Sequence, residues 1–220
     1  SETVTLHLLP GLDVRSIFSY DNTTVKDHLY YSANHFYASS VNGEVDEMRT
    51  NYEKAVSSTT ANYSTMFGLH TVQAMIGFEA EKNKTDFTRA TGTNLPTSTL
   101  HTVATAGTYS ASGYNWGNSM VSILSKFDYN YDQRYYASLS YRRDGSSRLS
   151  KDSRWGDFWS IAGSWNLHNE AFLKENQLFS TLRVRASYGV NGTLPTNNYG
   201  YMNLVTYSNK YMGQPGGTLT

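Results

Sequence analysis

Cysteine is absent from the 220 residues, and proline occurs only four times. The lack of cysteine excludes a disulfide framework and any thiolate metal site. The chain instead contains eighteen tyrosines, nine phenylalanines and four tryptophans. Aromatic residues are enriched in β-strands, and proline disrupts the pairing of strands. This composition therefore predicts a strand-rich protein.

The chain also lacks net charge and long hydrophobic runs. Eighteen Lys plus Arg balance eighteen Asp plus Glu, so no long-range field attracts nucleic acid, and we do not expect nucleic acid as a partner. No run of about eighteen apolar residues exists, which excludes a transmembrane helix. A membrane β-barrel stays possible, because each of its strands needs only about ten alternating residues.

Residues 1–7 show neither the basic nor the hydrophobic region of a signal peptide. An exported protein must have had one, so we expect a mature or partial chain.

Patterns typical of catalysis or metal binding are missing as well. The six histidines are scattered, and neither a nucleophile elbow nor a phosphate-binding loop occurs. The run Asp-Tyr-Asn-Tyr-Asp at 128–132 resembles a calcium loop but lacks its glycine and its final glutamate. We therefore expect no catalytic residue, no metal site and no cofactor, and we predict that the protein is not an enzyme.

The most informative stretch covers residues 119–189, where side chains alternate with a period of two. The face that contains Leu139 is aromatic or aliphatic, whereas Ser138 and Ser140 lie on the other face. A soluble sandwich alternates too, but its polar face meets bulk water. Here tyrosine and tryptophan mark the strand ends of the apolar face, and charges lie in the middle of the polar face. Both features suit a transmembrane β-barrel with a wet interior.

The phase of the alternation predicts which side chains face lipid. They are Val121, Ile123, Phe127, Ala137, Leu139, Tyr141, Ile161, Trp165, Val184 and Ala186.

Connection lengths predict the topology of about nine strands, the last one near 199–207. Short connections are expected at 10–11, 68–70, 132–133 and about residue 170. Long connections are expected at 21–46, 84–118 and 143–156. Because outer-membrane barrels have short periplasmic turns and long extracellular loops, we expect the 143–156 loop to be extracellular.

Several motifs then follow one another along the chain. They are Tyr-Arg-Arg-Asp-Gly-Ser-Ser-Arg at 141–148, Arg-Trp-Gly-Asp-Phe at 154–158, Gly-Ser-Trp at 163–165, Glu-Ala-Phe at 170–172 and Leu-Arg-Val-Arg-Ala-Ser-Tyr-Gly-Val-Asn-Gly at 182–192. In this order and spacing they resemble the SusC/RagA family of TonB-linked outer-membrane transporters of the Bacteroidetes. The resemblance covers about residues 63–191, and the earlier residues fit barrel hairpins in general.

The resemblance implies an all-β fold, an antiparallel transmembrane β-barrel of roughly 22 strands. Residues 1–220 would supply about nine of them, without the plug domain, the signal peptide and the final strands. Nine strands alone would leave two unpaired edges in lipid, so other segments must complete the barrel. The implied function is the TonB-dependent import of oligosaccharides, or of peptides, across the outer membrane. The implied partners are a SusD-like surface lipoprotein and TonB, which would contact a part outside this chain.

Candidate ligand contacts are aromatic residues of the predicted long loops, since aromatic rings stack on sugars. They are Tyr109, Tyr114, Trp116 and Trp155. Packing between loops would explain these residues equally well. The arginines near the third long loop, Arg142, Arg143, Arg148 and Arg154, are expected to pair with carboxylates of the loops and the lumen. The alternatives to an importer are a passive porin, a barrel enzyme or a soluble all-β carbohydrate-binding module.

Overall fold

A computed structural model describes residues 1–173, 181–198 and 200–202, together with the backbone of two strands at 205–211 and 214–219. In this part of the chain the helical elements are single 3-10 turns, at Ser39–Val41, Val103–Thr105, Lys151–Ser153 and Leu167–Asn169. None of the described helices is long and apolar enough to cross a membrane.

Eight described strands form one sheet in which each strand pairs with its sequence neighbour. Their bounds are β1 Glu2–Leu9, β2 Leu12–Tyr31, β3 Glu44–Phe67, β4 His70–Thr93, β5 Thr108–Tyr131, β6 Tyr135–Ser146, β7 Trp155–Asn166 and β8 Arg183–Val190. The antiparallel strands β9 Val205–Tyr211 and β10 Gln214–Leu219 pair separately. The predicted all-β, antiparallel fold is confirmed. The predicted strand near 199–207 corresponds to β9, so the described chain has ten strands rather than about nine.

The chain divides into two compact units. The first unit comprises residues 1–18, 56–81 and 118–220, and it contains β1, β6, β7 and β8 with one end of each of β2 to β5. The second unit comprises 19–55 and 82–117, which form the other ends of β2 to β5.

Strands β2 to β5 are longer than the sequence predicted. They contain 20 to 24 residues each, whereas a tilted strand crosses a membrane with about 9–11. The connections therefore shrink to 32–43, 94–107 and 147–154, and the prediction of loops over the whole of 21–46, 84–118 and 143–156 is wrong. The physical reason is that a paired strand outside an apolar layer can be polar on both faces. The alternation then disappears from the sequence while the backbone pairing continues.

The short turns lie where the sequence predicted them. Gly11 has φ 80° and Gly68 has φ 59°, in the left-handed region that glycine tolerates. A side chain at Gly11 would also collide with the carbonyl of Ser64, because its Cβ would lie 2.1 Å from that oxygen. Asp132 and Gln133 adopt φ 51° and 53° and close the β5–β6 hairpin. Short turns thus alternate with longer connections from β1 to β7. The prediction of a short connection at about residue 170 is wrong, because β7 ends at Asn166 and β8 begins at Arg183, so that 16 residues join them.

The register of β5 to β8 fixes which residues share a face. Leu139 pairs with Phe127 on one side and with Ile161 on the other, and Ile161 pairs with Tyr188. Directly paired residues point to the same face of a sheet, and the remaining residues predicted to face lipid fall in the same phase. Their common face, called the apolar face below, is therefore confirmed. Ser138 lies on the opposite face, called the polar face.

The apolar face stays open to its surroundings. Leu139 and Ile161 are each about half exposed, at 51% and 53%. Only three apolar side chains are buried among the described residues. They are Ala38, Val45 and Leu95, and all three belong to the second unit. A continuous exposed apolar surface of this kind requires another apolar phase or partner to cover it.

We expect arginine at Leu139 to destabilise the protein much more than arginine at Ser138. Arginine on the lipid-facing side of a barrel costs about 2–4 kcal/mol at the membrane midplane, whereas Ser138 lies beside the carboxylate of Asp128. The measurement is equilibrium unfolding of the complete protein in lipid vesicles. Equal destabilisation by Leu139→Arg and Ser138→Arg would contradict the assignment of faces.

Candidate functional site

The polar face of the first unit contains a groove of about 400 Å³. Strands β4 to β7 supply its walls, because successive strands direct every second side chain toward it. Its polar lining includes Gln73, Lys126, Asp128, Asn130, Tyr136 and Ser164.

Lys126 and Asp128 form the charged part of this groove. They are two residues apart on β5 and therefore project from the same face, where their side chains approach to 2.8 Å. The hydroxyl of Ser138, on the neighbouring strand β6, donates a 2.7 Å hydrogen bond to Asp128. The carboxylate is thus held by one cation and one hydroxyl.

Two further polar atoms in the groove have no hydrogen-bond partner among the described residues. They are the buried Oδ1 of Asn130 and the buried Oγ of Ser164. Buried polar atoms are usually paired, so these two are exceptions, and they are enclosed rather than displayed at the surface of the groove. The groove can bind hydroxyl or amide groups, and its lining offers no activated nucleophile.

Arg142 organises the polar face nearer the 147–154 connection. Its Nε donates to both carboxylate oxygens of Asp144 at 2.7 and 2.9 Å, and its Nη2 donates to Ser122 Oγ at 2.9 Å. Glu79 lies 3.7 Å away. Arg142 is therefore paired with carboxylates, as predicted.

The other three arginines of this region behave differently. Arg143 lies 3.7 Å from Asp157, which also agrees with the prediction. Arg148 instead donates to Asn198 Oδ1 at 3.1 Å and to the carbonyl of Pro195 at 3.3 Å, so the predicted carboxylate partner is wrong for this residue. The buried Nε of Arg154 has no hydrogen-bond partner in the described part of the chain.

The second unit has its own buried charge pair, which joins β3 to β4. Asp46 is only 2% exposed and accepts two hydrogen bonds from Arg89, at 2.9 and 2.6 Å, and another from Thr91. Burial alone would raise the pKa of Asp46, but the bonds from Arg89 and Thr91 outweigh it and lower that pKa. The residues are too far apart in sequence for any local pattern to reveal the pair.

The structure places three of the four predicted ligand contacts on a strand rather than in a loop. Tyr109, Tyr114 and Trp116 belong to β5 in the second unit, and all three are exposed. Tyr114 stacks on Phe87 of β4, with ring centroids 5.0 Å apart. The prediction that they lie in a loop is wrong, because β5 begins before Tyr109. Their role in ligand binding stays a prediction.

Trp155, the fourth predicted contact, begins β7 in the first unit. It pairs with Gly145 on the apolar face, and a Cβ at Gly145 would lie only 2.8 Å from the indole. The guanidinium of Arg143 lies 5.4 Å from its ring centroid. Trp155 is thus directed away from the polar groove, and its binding role also stays a prediction.

The cluster around Glu170 was not identified from the sequence as a structural site. Glu170 is 8% exposed and accepts hydrogen bonds from Tyr135 Oη at 2.6 Å, Trp165 Nε1 at 3.0 Å and Arg134 Nη1 at 3.2 Å. The bonds from Tyr135 and Trp165 lower the pKa of Glu170. The hydrogen bonds of Glu170 therefore join the β7–β8 connection to the β5–β6 hairpin. The only sequence signal was the Glu-Ala-Phe motif itself.

No group of three or more His, Asp or Glu side chains in the described residues is arranged to hold a metal ion.

We expect Glu170→Gln to lower the unfolding temperature of the complete barrel at neutral pH and to reduce its sensitivity to acid. A glutamate whose pKa is lowered by folding stabilises the protein fully above the unfolded pKa of about 4.3. This stabilisation is lost as the pH falls through the lower folded value. Unfolding temperatures measured from neutral to acidic pH check the difference. Asp152→Asn, in the exposed 147–154 connection, is the control, and an unchanged acid response in Glu170→Gln would contradict this role.

A scan against models of protein families finds no match. Among curated proteins, the TonB-dependent receptor SusC of Bacteroides thetaiotaomicron is 29% identical over 218 residues, which cover 96% of this chain and 21% of that receptor. The TonB-dependent receptors P3 and P39 of Formosa agariphila are 26% and 27% identical. Their alignments cover 87% and 86% of this chain and 19% of each receptor. The chain thus spans about a fifth of the length of these relatives.

Solved structures show the same architecture. The structure of the RagAB peptide transporter aligns with a TM-score of 0.92 and 24% identity, over 99% of this chain and 25% of the other. The open-open state of the RagAB peptide importer aligns with a TM-score of 0.89 and 24% identity, over 99% of this chain and 24% of the other. The resemblance that the motifs indicated is therefore confirmed, because the chain is similar over most of its length to SusC-like TonB-dependent receptors and has the fold of a segment of their β-barrel.

Proposed function

We propose that the chain is a non-catalytic part of a TonB-dependent importer in the outer membrane. The cargo would be oligosaccharides or peptides, and a SusD-like surface lipoprotein and TonB would be its partners. Similarity to TonB-dependent receptors over most of the chain supports this proposal. The observation that carries it is the sheet of β5 to β8, which has an open apolar face and a polar face with a groove.

The dimensions of the apolar face support a position in a membrane. One aromatic row contains Tyr135 and Trp165, and the row with Gly145 and Trp155 lies ten positions further along β6. Ten steps of about 3.4 Å along strands tilted by about 40° correspond to roughly 25 Å across the membrane. This height equals the apolar band of outer-membrane barrels, which aromatic residues flank on both sides.

The polar face would then line the interior of the barrel. Two of its charge pairs, Lys126 with Asp128 and Arg142 with Asp144, are formed within the protein, whereas Arg183 on the same face donates to the neutral Asn166. A passage lined in this way can bind polar cargo through hydrogen bonds. This property suits the transport of neutral sugars or short peptides.

The eight-stranded sheet ends at β1 and β8, whose outer edges have no partner within that sheet. Unpaired edges are unfavourable in lipid, since each free backbone group costs several kcal/mol there. We therefore propose that residues 1–220 form one segment of a barrel of roughly 22 strands. In this arrangement the plug and the TonB-contacting segment belong to other parts of the protein.

We expect a cysteine at Ser153 to be labelled on intact cells, whereas a cysteine at Gln133 is not. Ser153 lies in the 147–154 connection, and Gln133 lies in a tight turn at the opposite end of β6. These 220 residues contain no cysteine, and the protein without an added cysteine is the control for background labelling. An impermeant maleimide is the reagent, with lysed cells as the control for reactivity. Labelling of Gln133→Cys alone would invert the proposed topology.

We expect alanine at Tyr109, Tyr114, Trp116 or Trp155 to weaken cargo capture by the complete transporter. Loss of a contacting aromatic ring lowers affinity by roughly fivefold or more, while the barrel still assembles because exposed rings contribute little to its pairing. The measurements are cargo affinity and uptake. Barrel assembly is checked in parallel by the heat-dependent shift of the folded protein in gel electrophoresis.

Phe36→Ala is the matched control, because Phe36 is an exposed aromatic residue of the second unit that is not assigned to the site. Unchanged uptake in all four variants would reject the assigned contacts. Hydrolysis of a cargo by the purified protein would reject the non-catalytic function.

A further inference from the structure

A cationic and aromatic cluster lies at one end of the apolar face, beside the 147–154 connection. It consists of Arg143, Arg154 and Trp155 and is called the rim cluster below. Arg143 pairs with Asp157, and Trp155 pairs with Gly145, in the same phase as Leu139. Arginine is unusual on a face whose middle rows, such as Phe127, Leu139 and Ile161, are aliphatic and aromatic. The function proposed above uses neither arginine of this cluster, and it assigns Trp155 only as a predicted cargo contact.

The charge of Arg143 is only partly compensated. Its Nε is 3.7 Å from Asp157 Oδ1, which is longer than a hydrogen bond, and its side chain is 47% exposed. The same carboxylate oxygen of Asp157 accepts a hydrogen bond from Tyr141. Arg143 also lies over the ring of Trp155. The guanidinium is therefore fixed in position but keeps donors for another acceptor.

A shallow groove of about 300 Å³ lies beside Trp155, the residue whose ring Arg143 covers. Arg154 and Trp155 line it together with Ser119, Val121, Gly145 and Ser147. The hydroxyl oxygen of Ser147 accepts a 2.8 Å hydrogen bond from the backbone of Ser119, so its own proton can still be donated. The buried Nε of Arg154 has no partner among the described residues. The Ser147 hydroxyl and the guanidinium nitrogens of Arg154 other than this buried Nε are the donors that the groove offers, and they favour an anion.

The depth of the rim cluster indicates what kind of anion can reach it. The row of Trp155 lies roughly 25 Å from the row of Tyr135, at the opposite boundary of the apolar band. Tryptophan is enriched at the boundary between membrane and water, and arginine extends toward headgroups from just inside it. Arg143 and Arg154 carry two positive charges, against the one negative charge of Asp157 that the described strand pairing places opposite Arg143. Lys151 and Asp152, of opposite charge, lie in the adjacent connection. A lipid phosphate at this depth complements that charge.

We propose that the rim cluster binds the phosphate of an anionic lipid headgroup, in the leaflet on the side of the 147–154 connection. This inference rests on the proposed function, which places the sheet in the outer membrane. Arg143 and Arg154 would donate to the phosphate, and Trp155 would pack against the upper part of the acyl chains. The lipid would cover an apolar face and compensate its cations at the same time.

The test uses the complete transporter in detergent, titrated with phosphatidylglycerol or with phosphatidylcholine of the same chain length. Native mass spectrometry gives the affinity for each lipid. We expect tighter binding of phosphatidylglycerol, and a loss of about fivefold for each of Arg143→Gln and Arg154→Gln. The loss for phosphatidylcholine should be smaller, because its choline cation already compensates its phosphate. Inorganic phosphate should fail to displace the lipid, because a free anion lacks the chains that pack against Trp155.

Lys151→Gln is the matched control, since it removes a neighbouring cation from the exposed connection. An equal loss in this variant would mean general attraction to charge and would overturn the site, as would displacement by inorganic phosphate. A folded barrel that binds both lipids equally would overturn the lipid site alone. A protein that stays in solution without detergent would overturn the proposed membrane function together with it.

Discussion

The pairing register of β5 to β8 is the constraint on which the rest of the structure depends. Since side chains alternate along a strand, a shift of one residue would exchange Leu139 with Ser140 and transfer every apolar row to the wrong face. The tight hairpin at Asp132 and Gln133 fixes this register between β5 and β6. Glu170 reinforces it by joining that hairpin to β7 through the side chains of Tyr135 and Trp165.

The same register gives chemically identical neighbours opposite environments. Arg142 and Arg143 follow one another in the sequence, yet Arg142 binds Asp144 on the polar face while Arg143 lies over Trp155 on the apolar face. The first arginine is neutralised by a bidentate carboxylate. The second has only a more distant one, Asp157. Arg142 is thus compensated on the polar face, whereas the apolar face keeps the partly compensated Arg143 at its rim.

Much of this architecture could be predicted from the sequence, for a physical reason. Alternation, as in the run around Leu139, reflects different environments on the two faces of a strand. Glycine at Gly11 and Gly68 marks backbone conformations that other residues avoid. The ends of β2 to β5 that belong to the second unit show no such alternation, so the sequence predicts a loop at Tyr109 and Trp116. The contact between Asp46 and Arg89 depends on the pairing of distant segments, which no local pattern reveals.

The length of the strands has a consequence for how the protein can change over evolution. β5 contains 24 residues, so Tyr114 is displayed from a hydrogen-bonded ladder and stacks on Phe87 of the adjacent strand. A side chain on such a ladder loses less conformational entropy on contact with another molecule than one on a mobile loop. Substitutions at these positions can also alter chemistry while the backbone stays in place. A long ladder of this type therefore combines a rigid frame with exchangeable surface groups, so the chemistry of this surface can change without refolding.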